Sequence, residues 1–142
     1  MRFLLLTHLL CGVCAAAAAI HAFAFGSISL DARRTRRLGV LVVVLTLAAV
    51  TTGVLLYPDY KVHIRGPLLE VKAPWAARLF DMKEQLVVIA VPLLGGYFLR
   101  GSTGASGKAL SRLMTGAVAL LLISAVLLAL YVEKVHAWGH EP

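Results

Sequence analysis

No Asp, Glu, Lys or Arg occurs between Phe3 and Leu30. Three more uncharged windows follow: Leu38 to Pro58, Gln85 to Leu99 and Leu113 to Val132. This clustering of charge constrains the fold more than any motif does. A helix needs about 20 predominantly apolar residues to cross a hydrocarbon core about 30 Å thick. The first, second and fourth windows meet that length unaided. The third is shorter, but its helix can begin upstream at Pro74, which suits a first helical turn because its missing N–H would be orphaned there. Arg78, Asp81, Lys83 and Glu84 then fall in the outer turns of that helix.

Composition agrees. The chain is 60% apolar and 15% charged, against about 45–50% and about 25% for soluble domains. Its mean hydropathy is +0.85. A soluble core in a chain this short would have to expose much of that apolar surface. A soluble enzyme, a disordered tail and a disulfide scaffold are thereby excluded. The runs are too long and unbroken for a β-barrel. The expected fold is all-α: a single-domain integral membrane bundle of four transmembrane helices, at roughly 3–26, 38–57, 74–99 and 111–133. The first window also has features of a signal peptide, but the cluster Arg33, Arg34, Arg36 and Arg37 follows it directly and resists translocation. A retained first helix is therefore expected.

The loops set the orientation. The first carries four Arg against Asp31, and the third carries Arg100, Lys108 and Arg112 with no acid. Short basic loops stay in the cytoplasm. Both termini and the second loop then face outward, giving an N-out, C-out multi-pass protein of the bacterial inner-membrane type. Lys plus Arg tie at seven per side, but the inner side has one acid and the outer side six. The net charge of +7 is thus chiefly a topology signal. Tyr57, Tyr60, Trp75, Tyr131 and Trp138 form an outer aromatic belt, with Tyr97 at the inner face. Gly101 to Gly107 reads as a flexible connector.

In the outer loop Tyr60, Val62 and Ile64 alternate with Lys61, His63 and Arg65, and Leu69 and Val71 flank Glu70. Gly66-Pro67 lies between as a turn signal. Period-two alternation around a turn predicts a short β-hairpin over 60–72, with an extended loop as the plain alternative. A faint repeat joins Tyr57 to His63 with Tyr131 to His136, so duplication of a helical hairpin is a second reading of the layout.

Candidate chemistry is sparse. His8, Cys11, Cys14 and His21 fall within one helical stripe about 140° wide. Cys and His ligate metals and heme iron, yet Cys in a membrane helix also packs as a small hydrophobe. His8, His63, His136 and His140 gather at the outer side, where they offer ligands to a heme b or a metal, with Cys11 and Cys14 as further metal ligands. The plain alternative is a set of solvated interfacial histidines. Arg78, Asp81, Glu84 and Gln85 form a polar cluster at the head of the third helix, with Arg78 and Asp81 paired at i,i+3. Charges at such depth pair or face water within the bundle. A carboxylate there suits proton relay, quinone contact or cation binding, and an orienting ion-pair cluster is the plainer role. Gly95 and Gly96 permit close approach of another helix.

No nucleotide loop, zinc-hydrolase motif or nucleophile elbow occurs, and the positive charge suits anionic lipid rather than nucleic acid. The leading expectation is a small, non-catalytic membrane subunit of a redox or respiratory-type complex. It would help to hold heme or quinone near the outer face, with other membrane subunits or a second copy as partners. The alternatives are a small carrier or metal-handling protein and a ligand-free assembly factor.

Overall fold

The computed structural model describes residues 2–28, 32–99 and 104–138. It is helical throughout: α1 Arg2–Ile28, α2 Ala32–Tyr60, a π-helical segment Lys61–Glu70, α3 Pro74–Leu99 and α4 Gly104–Trp138. Among the described residues there is no strand. Three stretches are long and apolar enough to cross a membrane: Phe3–Phe25, Arg36–Pro67 and Ala109–Val132. In α3 the uncharged run begins only at Gln85, after Arg78, Asp81, Lys83 and Glu84.

In space the helices follow the order α2, α1, α4, α3. α1 packs on both α2 and α4, α3 packs on α4, and α2 meets α3 only sparsely. The centre is a stripe of alanines on α1. Ala15, Ala18, Ala19 and Ala22, spaced i, i+3, i+4 and i+7, are all buried, as is Ala16. They meet Val42, Ala90, Leu94, Val118, Ala119 and Leu122 in one core. Lipid tails are as apolar as leucine, so membrane helices gain from close van der Waals contact and small residues permit it. Two further contacts use a missing side chain. A Cβ built on Gly116 would stand 3.0 Å from the Phe23 ring, and one on Gly96 would stand 2.9 Å from Met114 Cε. At the α1–α2 connection the Arg34 guanidinium lies 4.4 Å from the Phe25 ring centroid, a cation–π contact.

The hairpin expected over 60–72 is replaced by the π-helical segment. The reason lies in backbone satisfaction. A lone two-stranded hairpin is marginal and leaves its edges unpaired, whereas i→i+5 winding lets the N–H groups, Pro67 apart, bond carbonyls five residues earlier in α2 and in the segment itself. The side chains that pack are Tyr60, Ile64 and Leu69, four and five residues apart. Leu69 is fully buried against Ala76, Ala77 and Val132, with Tyr60 and Ile64 beside it. Val62 and Val71 are exposed. The helices also run past the expected span limits. α4 begins at Gly104, inside the expected connector.

His8 joins α1 to α2. Its Nδ1 donates to the Ala49 carbonyl at 2.7 Å and lies 3.3 Å from Thr52 Oγ1. Gly53 makes room for the ring: a Cβ there would be 2.9 Å from His8 Cε1. The ring cannot retreat without losing that hydrogen bond. Gly53→Ala is therefore expected to cost about 1–3 kcal/mol, the range for overpacking. Gly12, with nothing within 4 Å of a built Cβ, should accept alanine within about 0.5 kcal/mol. Thermal unfolding of the two variants in the same detergent measures the difference.

Candidate functional site

A cluster of polar and aromatic side chains lies at the end of the bundle where α2 runs into the π-helical segment and α3 begins. Arg65 organises this cap. Its Nη1 and Nη2 meet Asp81 Oδ1 and Oδ2 at 2.9 and 3.2 Å, a two-pronged pair. Its Nε donates to Glu70 Oε1 at 3.0 Å, and Nη1 also donates to the Tyr57 hydroxyl at 3.3 Å. One guanidinium thus ties the end of α2, the π-helical segment and the head of α3 together. The planar fork of arginine suits this bidentate task, and a lysine could not reproduce it.

An aromatic step lies beside the clamp. Tyr60 stacks on Phe80 with ring centroids 4.2 Å apart. Lys83 Nζ stands 4.0 Å from the Phe80 centroid, so part of the ammonium's lost hydration is replaced by the ring's negative face. Trp75 and Tyr131 meet at 5.8 Å on the exposed rim. The Tyr60 hydroxyl is buried and has no partner among the described residues. A buried, unpaired hydroxyl is costly.

The sequence-derived candidates separate. The pair expected between Arg78 and Asp81 is not formed: Asp81 is held by Arg65, and Arg78 is exposed. Glu84 is half-buried and Gln85 is exposed. His63 is exposed, and its Nδ1 donates to the Asp59 carbonyl one turn back at 3.0 Å. His21 is exposed and bonds the Ala17 carbonyl in the same way at 2.9 Å. His8 is turned toward α2. The stripe of His8, Cys11, Cys14 and His21 therefore does not face inward as a unit. Cys11 is half-buried and Cys14 exposed, both as free thiols. The backbone of His136 lies in α4, but its side chain and all of His140 lie outside the described residues. Among the described residues no group of three or more His, Cys, Asp or Glu side chains could hold a metal ion.

A narrow apolar cleft lies among Ala19, Ala22, Gly39, Val42, Leu94 and Met114. The hydroxyl of Thr115, also on its wall, donates to the Ser111 carbonyl at 2.8 Å. Thr46, nearly fully buried in α2, leaves its hydroxyl without a partner among the described residues.

No family model, curated protein or solved structure matches the chain. Its chemistry is therefore read from these contacts alone. Sequence reasoning had passed over Arg65, Tyr57, Glu70, Tyr60 and Phe80 as site residues. The pairing of Arg65 with Asp81 spans sixteen positions, and only the π-helical winding brings the two together.

Removing the fork leaves two carboxylates facing each other without a cation. Arg65→Met should destabilise the protein by about 1–2 kcal/mol, a partly exposed clamp being discounted from the buried case. Glu70→Gln, at the more exposed contact, should cost under about 1 kcal/mol. Tyr60→Phe should be neutral or mildly stabilising, because it removes an unpaired hydroxyl. Thermal scans of the three variants, with the Arg65 effect shrinking in high salt, check the ranking.

Proposed function

We propose that this chain is a small integral membrane subunit with four spans and both termini on the outer side, acting by packing against partner proteins rather than by catalysis of its own. The observation that carries the reading is the register of α3 on α4. Ala76 and Ala77 share a buried cluster with Val132, and Gly96 abuts Met114. α3 therefore runs antiparallel alongside nearly the whole apolar stretch Ala109–Val132. A helix that lies along its neighbour's length lies at similar depth, which supports reading α3 as the fourth span. By the same register its charges fall within the outermost two turns of that stretch: Arg78 level with about Val132, Asp81, held by Arg65, with about Ala129, and Glu84 with about Val126.

The more specific reading is a subunit of a redox or respiratory-type assembly that helps to hold heme or quinone near the outer face. His8 supports it. Its Nδ1–H is fixed on a backbone carbonyl, the arrangement that orients a ligating histidine and leaves Nε2 as the free donor. The second axial ligand would come from a partner subunit or from the chain beyond Lys134. The carrier reading is weaker on the same geometry, because a cation approaching Asp81 or Glu70 would have to displace the guanidinium.

Two measurements test this. In a chain with Cys11 and Cys14 replaced by alanine, cysteines at Arg2 and at Glu141 should both react with a membrane-impermeant thiol reagent added from outside, and one at Ser106 should resist it. Termini labelled from opposite sides would mean an odd number of spans and leave only three. Protein purified in mild detergent should carry a heme band or bound quinone that His8→Ala weakens, and a colourless, quinone-free protein indifferent to His8→Ala would remove the cofactor part.

A further inference from the structure

α3 rests chiefly on α4 and the π-helical segment and meets α2 only sparsely. Through Ala90 and Leu94 it joins the core that the α1 alanines share. Its outward stripe is Gln85, Val88, Pro92 and Gly95, spaced three, four and three residues apart and hence on one face. All four are exposed, Val88 by 70%. With Gly96 beside Met114, Gln85 lies eleven residues back along α3, level with about Ala125 of α4 by equal helical rise. That position is inside the stretch Ala109–Val132. Under the four-span reading, on which this inference rests, a primary carboxamide therefore points away from the bundle at hydrocarbon depth.

A second polar group lies on the same face. Pro92 has no N–H, so the carbonyl of Val88 cannot receive its helical hydrogen bond from it. Backbone groups in lipid must find partners within protein. The stripe thus presents an amide with donor and acceptor, and one turn further a carbonyl short of a donor. A Cβ on Gly95 would meet nothing within 4 Å, so a neighbouring backbone can come close there.

We propose that this face is the seam of a parallel homodimer in which the Gln85 side chains of two copies hydrogen-bond across a twofold axis normal to the membrane. The occupant follows from symmetry. Two copies with the same topology carry their α3 helices parallel, so a twofold between them brings each residue to its own equivalent. A carboxamide complements itself, offering a donor to its partner's acceptor in both directions. No other exposed side chain on the stripe has that property, and the Val88 carbonyl lies within a turn for the remaining N–H. The small residue at Gly95 completes close approach at the far end of the seam.

The test uses the full chain in lipid bilayers, with Cys11 and Cys14 replaced by alanine. Val88→Cys should form a disulfide-linked homodimer rapidly under mild copper-catalysed oxidation. Leu120→Cys, 67% exposed on α4, should cross-link far more slowly at the same protein-to-lipid ratio. Without cross-linking, Gln85→Leu should weaken dimerisation by about 5- to 30-fold, the range for an interhelical hydrogen bond in model membrane peptides. Equal cross-linking at the two positions, a monomeric Val88→Cys chain, or a Gln85→Leu dimer as tight as the parent would overturn the proposal. So would cross-linking of Val88→Cys, in its native membrane, to a different protein. Arg2→Cys and Glu141→Cys chains that both label from outside while the dimer fails separate loss of this seam from loss of the four-span reading.

Discussion

Close approach at the alanine face of α1 is the condition that the other helix positions depend on. Ala15, Ala16, Ala18, Ala19 and Ala22 present almost no side-chain bulk, so α2 and α4 can lie against the same helix from two sides. α3 then takes its place from α4. In water such a face would gain little, because each alanine buries little apolar area. In hydrocarbon the gain from burial disappears and closeness of contact decides. Ala19→Leu would push apart a seam that has no rotamer freedom with which to absorb it.

The clamp at the cap end works on a different principle. Arg65 sits at a position the chain reaches only after α2 has ended, yet it holds the first turns of α3. Both its carboxylate partners are partly exposed, so it contributes direction more than energy. It fixes the angle at which α3 leaves the cap, and α3 needs that guidance because it has little contact with α2. The stacked Tyr60 and Phe80 rings do the same from the apolar side.

Much of this was legible in the sequence, and the boundary is a physical one. Uncharged windows located the four α-helices, because charge is excluded from hydrocarbon whatever the packing; the π-helical segment lies outside them. The start of α3 at Pro74 followed from the needs of a first helical turn. Alternation misled at Tyr60 to Lys72, since exposed Val62 and Val71 imitate a strand period while Tyr60, Ile64 and Leu69 do the packing. Spacing misled at Asp81, since Arg78 at i,i+3 is the nearer cation in sequence and Arg65 the nearer one in space. Helical-stripe geometry grouped His8 with Cys11, Cys14 and His21, but a stripe as wide as this one reaches past a single neighbour: His8 meets α2 while Cys14 and His21 stay exposed. The alanine face of α1 left no mark of its own, since nothing in hydropathy marks a face that matters because it is small.

The π-helical winding of Lys61–Glu70 has a consequence for how the cap can move. Ten residues bonded i→i+5 form an unusually long run of this winding, which otherwise appears mostly as single-turn bulges. Rewinding the run to the α pitch would turn every side chain along it by a growing angle, and Arg65 and Leu69 would leave Asp81 and Ala76 together. The clamp, the buried leucine and the backbone winding are therefore one latch: none can release while the others stay closed. A partner that loosened any of them would swing the head of α3, and the rest of that helix would carry the displacement along α4.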